Sequence, residues 1–228
     1  VGSWAAELAG QTASALDVQA RTRFNEANDS HYYLVPGVIV TIMTMIGALL
    51  TSLVMAREYE RGTLESLFVT PVGSGEILTA KAATNFLLGM VSLAISMVFA
   101  AFVFDIPIRG SLLLLLAVSA LFLIVALGLG LVISTATKNQ FLACQFAIMG
   151  TFMPALMLSG FLYDILNMPP AVRAVTYLIP ARYYVTLLQT LFLAGDIPSV
   201  IIPCCITLGV FAVVLMSIAR LKAPKSLE

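Results

Sequence analysis

Apolar residues in this chain come in unbroken runs rather than in alternation. The first run covers about residues 34–56. As a helix rising ~1.5 Å per residue it would be roughly 34 Å long, enough to cross a ~30 Å hydrocarbon core with some tilt. Similar runs at about 77–104, 111–135, 141–160 and 199–220 predict four more spans. Strands of a membrane barrel would alternate polar and apolar with a period of two, and these segments do not. His31, Tyr32 and Tyr33 precede the first run as an interfacial aromatic belt. Short polar turns at 105–110 and at Lys138-Asn139-Gln140 separate the later runs. The predicted fold class is all-α, a polytopic membrane protein with five transmembrane helices.

Residues 161–198 do not fit a simple span, because Asp164, Asn167, Pro169, Pro170, Arg173 and Pro180 interrupt them. Their apolar part, about 183–194, is too short to cross. Charge placement gives the same answer. With five spans, Arg57, Arg61, Lys81, Lys138, Arg220, Lys222 and Lys225 share one side, against Arg109, Arg173 and Arg182 on the other. That asymmetry fits the positive-inside rule and puts the 57–76 loop and the C-terminus in the cytoplasm. Residues 161–198 are then expected to form a helical re-entrant element in the outer leaflet, its irregular backbone covered by protein. Residues 34–228 form the transmembrane domain.

Composition narrows the class further. The 228 residues are 60% hydrophobic and 11% charged, with mean hydropathy +1.01, against about 25% charged in soluble domains. The 12 basic and 12 acidic residues cancel, so no global field points to nucleic acid. Cys144, Cys204 and Cys205 show neither a disulfide framework nor metal-ligand spacing. Residues 1–33 differ in being mostly polar, with a helical start and a short strand near 18–24. They read as the end of an extracytoplasmic domain. The beginning of that domain is expected before residue 1, and the odd span count suggests that a first span precedes residue 1 too.

Against this apolar background, Arg57, Glu58, Glu60, Arg61 and Glu65 crowd into nine residues. The first span is expected to continue as a helix past the membrane surface and to end at Gly62 in a left-handed cap. Thr63 suits the N-cap of a second short helix, on which Leu64, Leu67 and Phe68 share a face. Pro71 stops it, and Gly73-Ser74-Gly75 turns the chain back. Such an amphipathic helix either lies in lipid headgroups or docks in a protein cleft. Three Glu against two Arg gain nothing from an anionic leaflet, which favours the cleft.

The stretch Glu-Tyr-Glu-Arg-Gly-Thr-Leu-Glu-Ser-Leu-Phe-Val-Thr-Pro, residues 58–71, resembles the cytoplasmic signature of ABC-2-type ABC transporter permeases. Tyr33-Leu34-Val35-Pro36-Gly37, Arg21-Thr22-Arg23-Phe24-Asn25 and Pro180-Ala181-Arg182-Tyr183-Tyr184 with Gly195 are also similar to that family, so the resemblance covers essentially the whole chain. Phe24 and Glu26 stand where the family more often has Trp or Tyr and Pro. The resemblance implies a permease subunit of a multidrug-type exporter in the bacterial inner membrane, with a large periplasmic domain. It implies association with a second permease subunit, as homo- or heterodimer, and with two copies of a cytoplasmic ABC ATPase subunit; a periplasmic adaptor is a further candidate partner. ATP and Mg would be held by the ATPase, leaving no cofactor in this chain. Glu58, Glu60, Arg61, Gly62, Thr63, Glu65, Leu67, Phe68 and Pro71 would form the ATPase-coupling helix, the substrate being drug-like, lipid or another amphiphile.

Other chemistry fares worse. No GxxxxGK[ST] phosphate loop occurs, so ATP hydrolysis belongs elsewhere. Ser159 has no base in reach as a nucleophile, since the single histidine, His31, sits at the far edge of another span. An ion-coupled secondary transporter or channel is the alternative, but ionisable groups near mid-membrane are wanting. Lys81 lies one turn from the cytoplasmic end, where it can snorkel. Asn85 and Gln145 read as interhelical hydrogen-bonding groups. Ala126, Gly128 and Gly130 permit close helix packing, within the chain or between subunits. Met153, Met157 and Phe161, spaced i, i+4, i+8, are a candidate substrate path.

Overall fold

The computed structural model describes residues 31–62, 74–104, 106, 109–163 and 165–222. Residues 1–30, with the strand expected near 18–24, lie outside these. Among the described residues the regular structure is helical, and five helices are long and apolar enough to cross a membrane: Leu34–Glu60, Thr79–Phe102, Leu112–Thr137, Gln140–Leu158 and Pro198–Leu221. The predicted fold class holds, an all-α polytopic membrane protein.

Two of the spans are broken midway. The first runs as α1 (His31–Thr44), a π-helical turn (Met45–Leu50) and α2 (Thr51–Glu60). The second is α3 (Ser74–Phe102) and the third α4 (Leu112–Thr137). The fourth consists of α5 (Gln140–Ala147), a π-helical turn (Ile148–Phe152) and α6 (Met153–Leu158). Hydroxyls that bond back to the preceding turn sit at both breaks: Thr44 donates to the Val40 carbonyl at 2.7 Å and Thr151 to the Ala147 carbonyl at 2.5 Å. Such back-bonding loosens the ordinary helical ladder. The two π turns pack against each other.

The third span is the post around which the others stand. It packs on the first, second, fourth and last spans and on the re-entrant element. Its small residues set the spacing. A Cβ on Gly130 would lie 2.6 Å from the Ala48 carbonyl oxygen, and one on Gly47 would lie 2.4 Å from Ala126 Cβ. The small-residue stripe therefore serves packing within the chain. Lys138, in left-handed conformation at φ 49°, turns the chain after this span. The Asn139 side chain then caps the fourth span by accepting from the Leu142 N–H at 3.1 Å.

Among the described residues past the fourth span, where a re-entrant element is expected, only short helices precede the last span. Gly160, at φ +90°, breaks the helix. A 3-10 turn (Ile165–Asn167), α7 (Pro170–Thr176), α8 (Pro180–Gln189) and a third π turn (Thr190–Ala194) follow, before α9 (Pro198–Lys222). Ile179, Pro180 and Ala181 reach a cavity that Thr44 and Thr151 also line, midway along the first and fourth spans. The chain then returns to the loop ahead of the third span. There the Gly110 N–H donates to the Leu191 carbonyl at 2.8 Å and the Ser111 N–H to Asp196 at 3.0 Å. Tyr184 anchors the element. It is fully buried, stacks on Phe122 with ring centroids 4.1 Å apart, and donates to the Ser119 hydroxyl at 2.8 Å. Arg182 rests on the Tyr177 ring, 3.9 Å from its centroid, and donates to the Thr176 hydroxyl.

Two predictions follow from this packing. Gly130→Val should cost about 1–3 kcal/mol by overpacking the helix crossing, whereas Gly150→Ala, with nothing within 4 Å of the new Cβ, should leave stability unchanged. Thermal unfolding in mild detergent separates them, and equal midpoints would contradict the close crossing. Tyr184→Phe should cost about 1 kcal/mol through loss of the buried hydrogen bond to Ser119, read as a lower unfolding midpoint in the same assay.

Candidate functional site

The first span does continue as a helix beyond the apolar run, to Glu60. Its end is made by local bonds. The Arg61 N–H donates to the Arg57 carbonyl at 3.0 Å and the Gly62 N–H to the Tyr59 carbonyl at 3.3 Å. Gly62 has φ +67°, a left-handed conformation that glycine adopts without the Cβ penalty. The sequence-predicted cap is therefore in place. Thr63, Glu65, Leu67, Phe68 and Pro71 lie outside the described residues.

The charges before Gly62 face this chain's own helices. The Lys81 ammonium on α3 donates to the Glu58 carboxylate at 2.6 Å, each side chain about one-quarter exposed. Two turns further up α2, the Asn85 amide donates to the Thr51 hydroxyl at 3.1 Å in a buried contact. Lys81 and Asn85 are i and i+4 on α3, while Thr51 and Glu58 are i and i+7 on α2, so the two bonds lie along one seam. Asn85 thus makes the interhelical bond its polarity suggested, and Lys81 is paired rather than merely snorkelling.

On the other side of α2, Glu60 Oε2 accepts the backbone N–H of Gln140 at 3.0 Å. Arg57 Nε donates to Gln140 Oε1 at 3.4 Å. Gln140 is the first residue of α5, where a carboxylate meets the positive end of the helix dipole. Arg61 is exposed. The end of α2 is thus fastened to the second span through Glu58 and to the fourth through Glu60. Sequence reasoning placed Gln140 only in a turn; no local pattern reveals a partner 80 residues away.

The proposed substrate-path residues separate. Met153 and Met157 are 48% and 45% exposed, whereas Phe161 is 8% exposed. The Phe161 ring lies so close over Gly37 that a Cβ there would come within 1.8 Å of it. The periodicity fails because α6 ends at Leu158 and Gly160 reverses the chain. A cavity of about 390 Å³ lies elsewhere, between the first and second spans. Val35, Ile39, Ile42, Ile95 and Phe99 line it, with Ser92 and Ser96 the hydroxyls on its wall.

Comparison with known proteins decides the lineage. Residues 5–221 match the model of the ABC-2 family transporter proteins. The chain belongs to the ABC-2 transporter family. It is 48% identical over 224 residues to the probable multidrug ABC transporter permease YbhS of Escherichia coli K12, covering 98% of this chain and 59% of that protein. It is 30% identical over 180 residues to the probable multidrug ABC transporter permease YbhR of the same organism, covering 78% of this chain and 48% of the relative. ABC transporter G family member 20 of Dictyostelium discoideum is 25% identical over 163 residues, 72% of this chain and 22% of its own length. The chain therefore spans about three-fifths of YbhS and half of YbhR.

The Glu58–Lys81 pair makes a quantitative test. With both side chains partly solvated, a double-mutant cycle of Glu58→Ala and Lys81→Ala should give a coupling of about 0.2–1 kcal/mol in unfolding. A coupling near zero would mean that the seam rests on Asn85 and Thr51 alone.

Proposed function

We propose that this chain is the membrane-spanning portion of a permease subunit in an ATP-driven exporter, and that residues 57–71 couple it to a separate ATPase. The observation that carries this reading is the helical extension of the first span to Glu60, ended by left-handed Gly62 immediately before the 63–71 signature. A helix that protrudes, is fastened to two neighbouring spans and then presents an amphipathic segment is built as a lever. Leu67 and Phe68 would anchor that segment in a cleft of the ATPase. Glu65 and exposed Arg61 would set its register there, while Thr63 and Pro71 bound it. Closure of two ATPase subunits on ATP and Mg would bias the permease between two states. The names of YbhS and YbhR as permeases support the assignment.

In this reading the charged end of the bundle and the C-terminus face the cytoplasm of a bacterial cell, and the re-entrant element faces the periplasm. The positive-inside asymmetry supports that orientation. A second permease subunit completes the pathway, with Met153 and Met157 on an exposed face toward it, and a periplasmic adaptor would extend it. The apolar lining of the 390 Å³ cavity favours drug-like or lipid-like amphiphiles as substrates.

A pull-down of the full-length permease from mild detergent tests the coupling. Wild type should co-purify an ATPase, and a Leu67→Asp/Phe68→Asp form should lose it while keeping its helical content. An unchanged ATPase yield in the double variant would sink the anchor assignment. Gly62→Val should retain the spans yet uncouple ATP hydrolysis from transport, because a β-branched residue resists φ +67°. Gly62→Asn, which tolerates that conformation, should stay coupled.

A further inference from the structure

Two of the acidic residues in the signature are engaged inside this chain, and their partners differ in kind. Glu58 joins Lys81 on a seam that Asn85 and Thr51 continue into the buried interior. Glu60 instead holds the start of the fourth span, through one backbone N–H at 3.0 Å. Arg57, one turn earlier, reaches the Gln140 side chain. The first contact welds the lever to the second span, with two bonds spread over the two helices. The second sits at the very tip of the fourth span, where α2 also packs along α5. Above it the fourth span carries the π turn at Ile148–Phe152, packed on the π turn of the first span. A displacement of the lever thus has a direct route to a helix that is interrupted directly after α5.

We infer that the Gln140 N–H is the positioning element through which Glu60 moves the fourth span when the coupling segment is displaced. The inference rests on the permease reading above. Glu60 is then a transmission residue rather than a contact to the ATPase. Removing its partner should leave ATPase binding intact and lose the motion.

The backbone permits a clean removal. Gln140 is the first residue of its helix, where proline is favoured because that N–H has no intrahelical acceptor. Asn139, at φ −134° and ψ 130°, already has the extended conformation demanded of a residue before proline. Gln140→Pro therefore deletes the donor without breaking the span. Gln140→Ala keeps the N–H and loses only the Arg57 contact. Glu60→Gln keeps an acceptor oxygen, and Glu60→Ala removes it.

The experiment uses full-length permease purified with its ATPase, with Cys144, Cys204 and Cys205 replaced by alanine. Spin labels go on Phe141→Cys and Leu221→Cys, both side chains 75% exposed. Their separation is measured by pulsed electron spectroscopy without nucleotide and after trapping with ATP, magnesium and vanadate. Wild type should show a nucleotide-dependent shift. Gln140→Pro and Glu60→Ala should each co-purify the ATPase but lose the shift, with no further loss when combined. Gln140→Ala and Glu60→Gln should retain it. A wild-type shift in Gln140→Pro, or independent partial losses that add in the double variant, would overturn the inference. If Gln140→Pro does not assemble, Glu60→Ala decides alone, since it alters an exposed carboxylate. Wild type that binds the ATPase but shows no shift also overturns it. Wild type that brings down no ATPase would strike the permease reading instead.

Discussion

The close crossing of the first and third spans is the constraint from which the rest of the structure follows. Inside a bilayer, apolar side chains gain nothing by leaving lipid for one another, so association depends on packing and on how nearly the backbones can approach. Gly47 and Gly130 are positioned so that even a methyl group would collide with Ala126 or the Ala48 carbonyl. That approach brings the π turn of the first span against the post and fixes where α2 emerges. The seam to the second span and the joint to the fourth are both measured from that point.

Polar groups inside the bundle are spent on holding positions. Thr41, Thr44, Ser52, Ser134 and Thr151 bond to carbonyls of their own helices, so their hydroxyls enter an apolar medium already satisfied. Asn85 and Tyr184 bond between elements. Each fixes one element against a neighbouring span, and each adds direction where dispersion forces have little. The re-entrant element shows why this matters. It is too short to be held by crossing the membrane, so the Phe122 stack and the Ser119 hydroxyl at one end and the 109–111 loop at the other hold it instead. Arg109, whose guanidinium donates to the Leu193 carbonyl at 3.1 Å, completes that second attachment.

Much of this was legible in the sequence because the bilayer imposes a length and an apolar composition on every span. The five spans, the short helices between the fourth and last of them, and the left-handed Gly62 could be read from run length, proline placement and a glycine after a charged helix end. The ends shifted by a few residues: the second helix begins at Ser74 rather than 77, and the third extends to Thr137 rather than 135. The π turns were not legible, since Thr and Gly occur in ordinary membrane helices too. The Met153, Met157 and Phe161 stripe assumed that a helix continued past Gly160, and the break there sends Phe161 into the core. Glu58 and Glu60 were readable as charges but not as partners of Lys81 and Gln140, because those pairings depend on tertiary proximity.

The paired π turns have a mechanical consequence. Each is a turn in which carbonyls bond five residues on instead of four, so it holds one residue more than the helix on either side needs. Shifting such a turn along its helix exchanges one kind of bond for the other and keeps their number nearly constant. A span pinned at both ends can therefore twist about its own axis while its tips stay fastened. With two of these turns in contact at mid-depth, the first and fourth spans resemble a pair of meshed bearings more than two rigid rods.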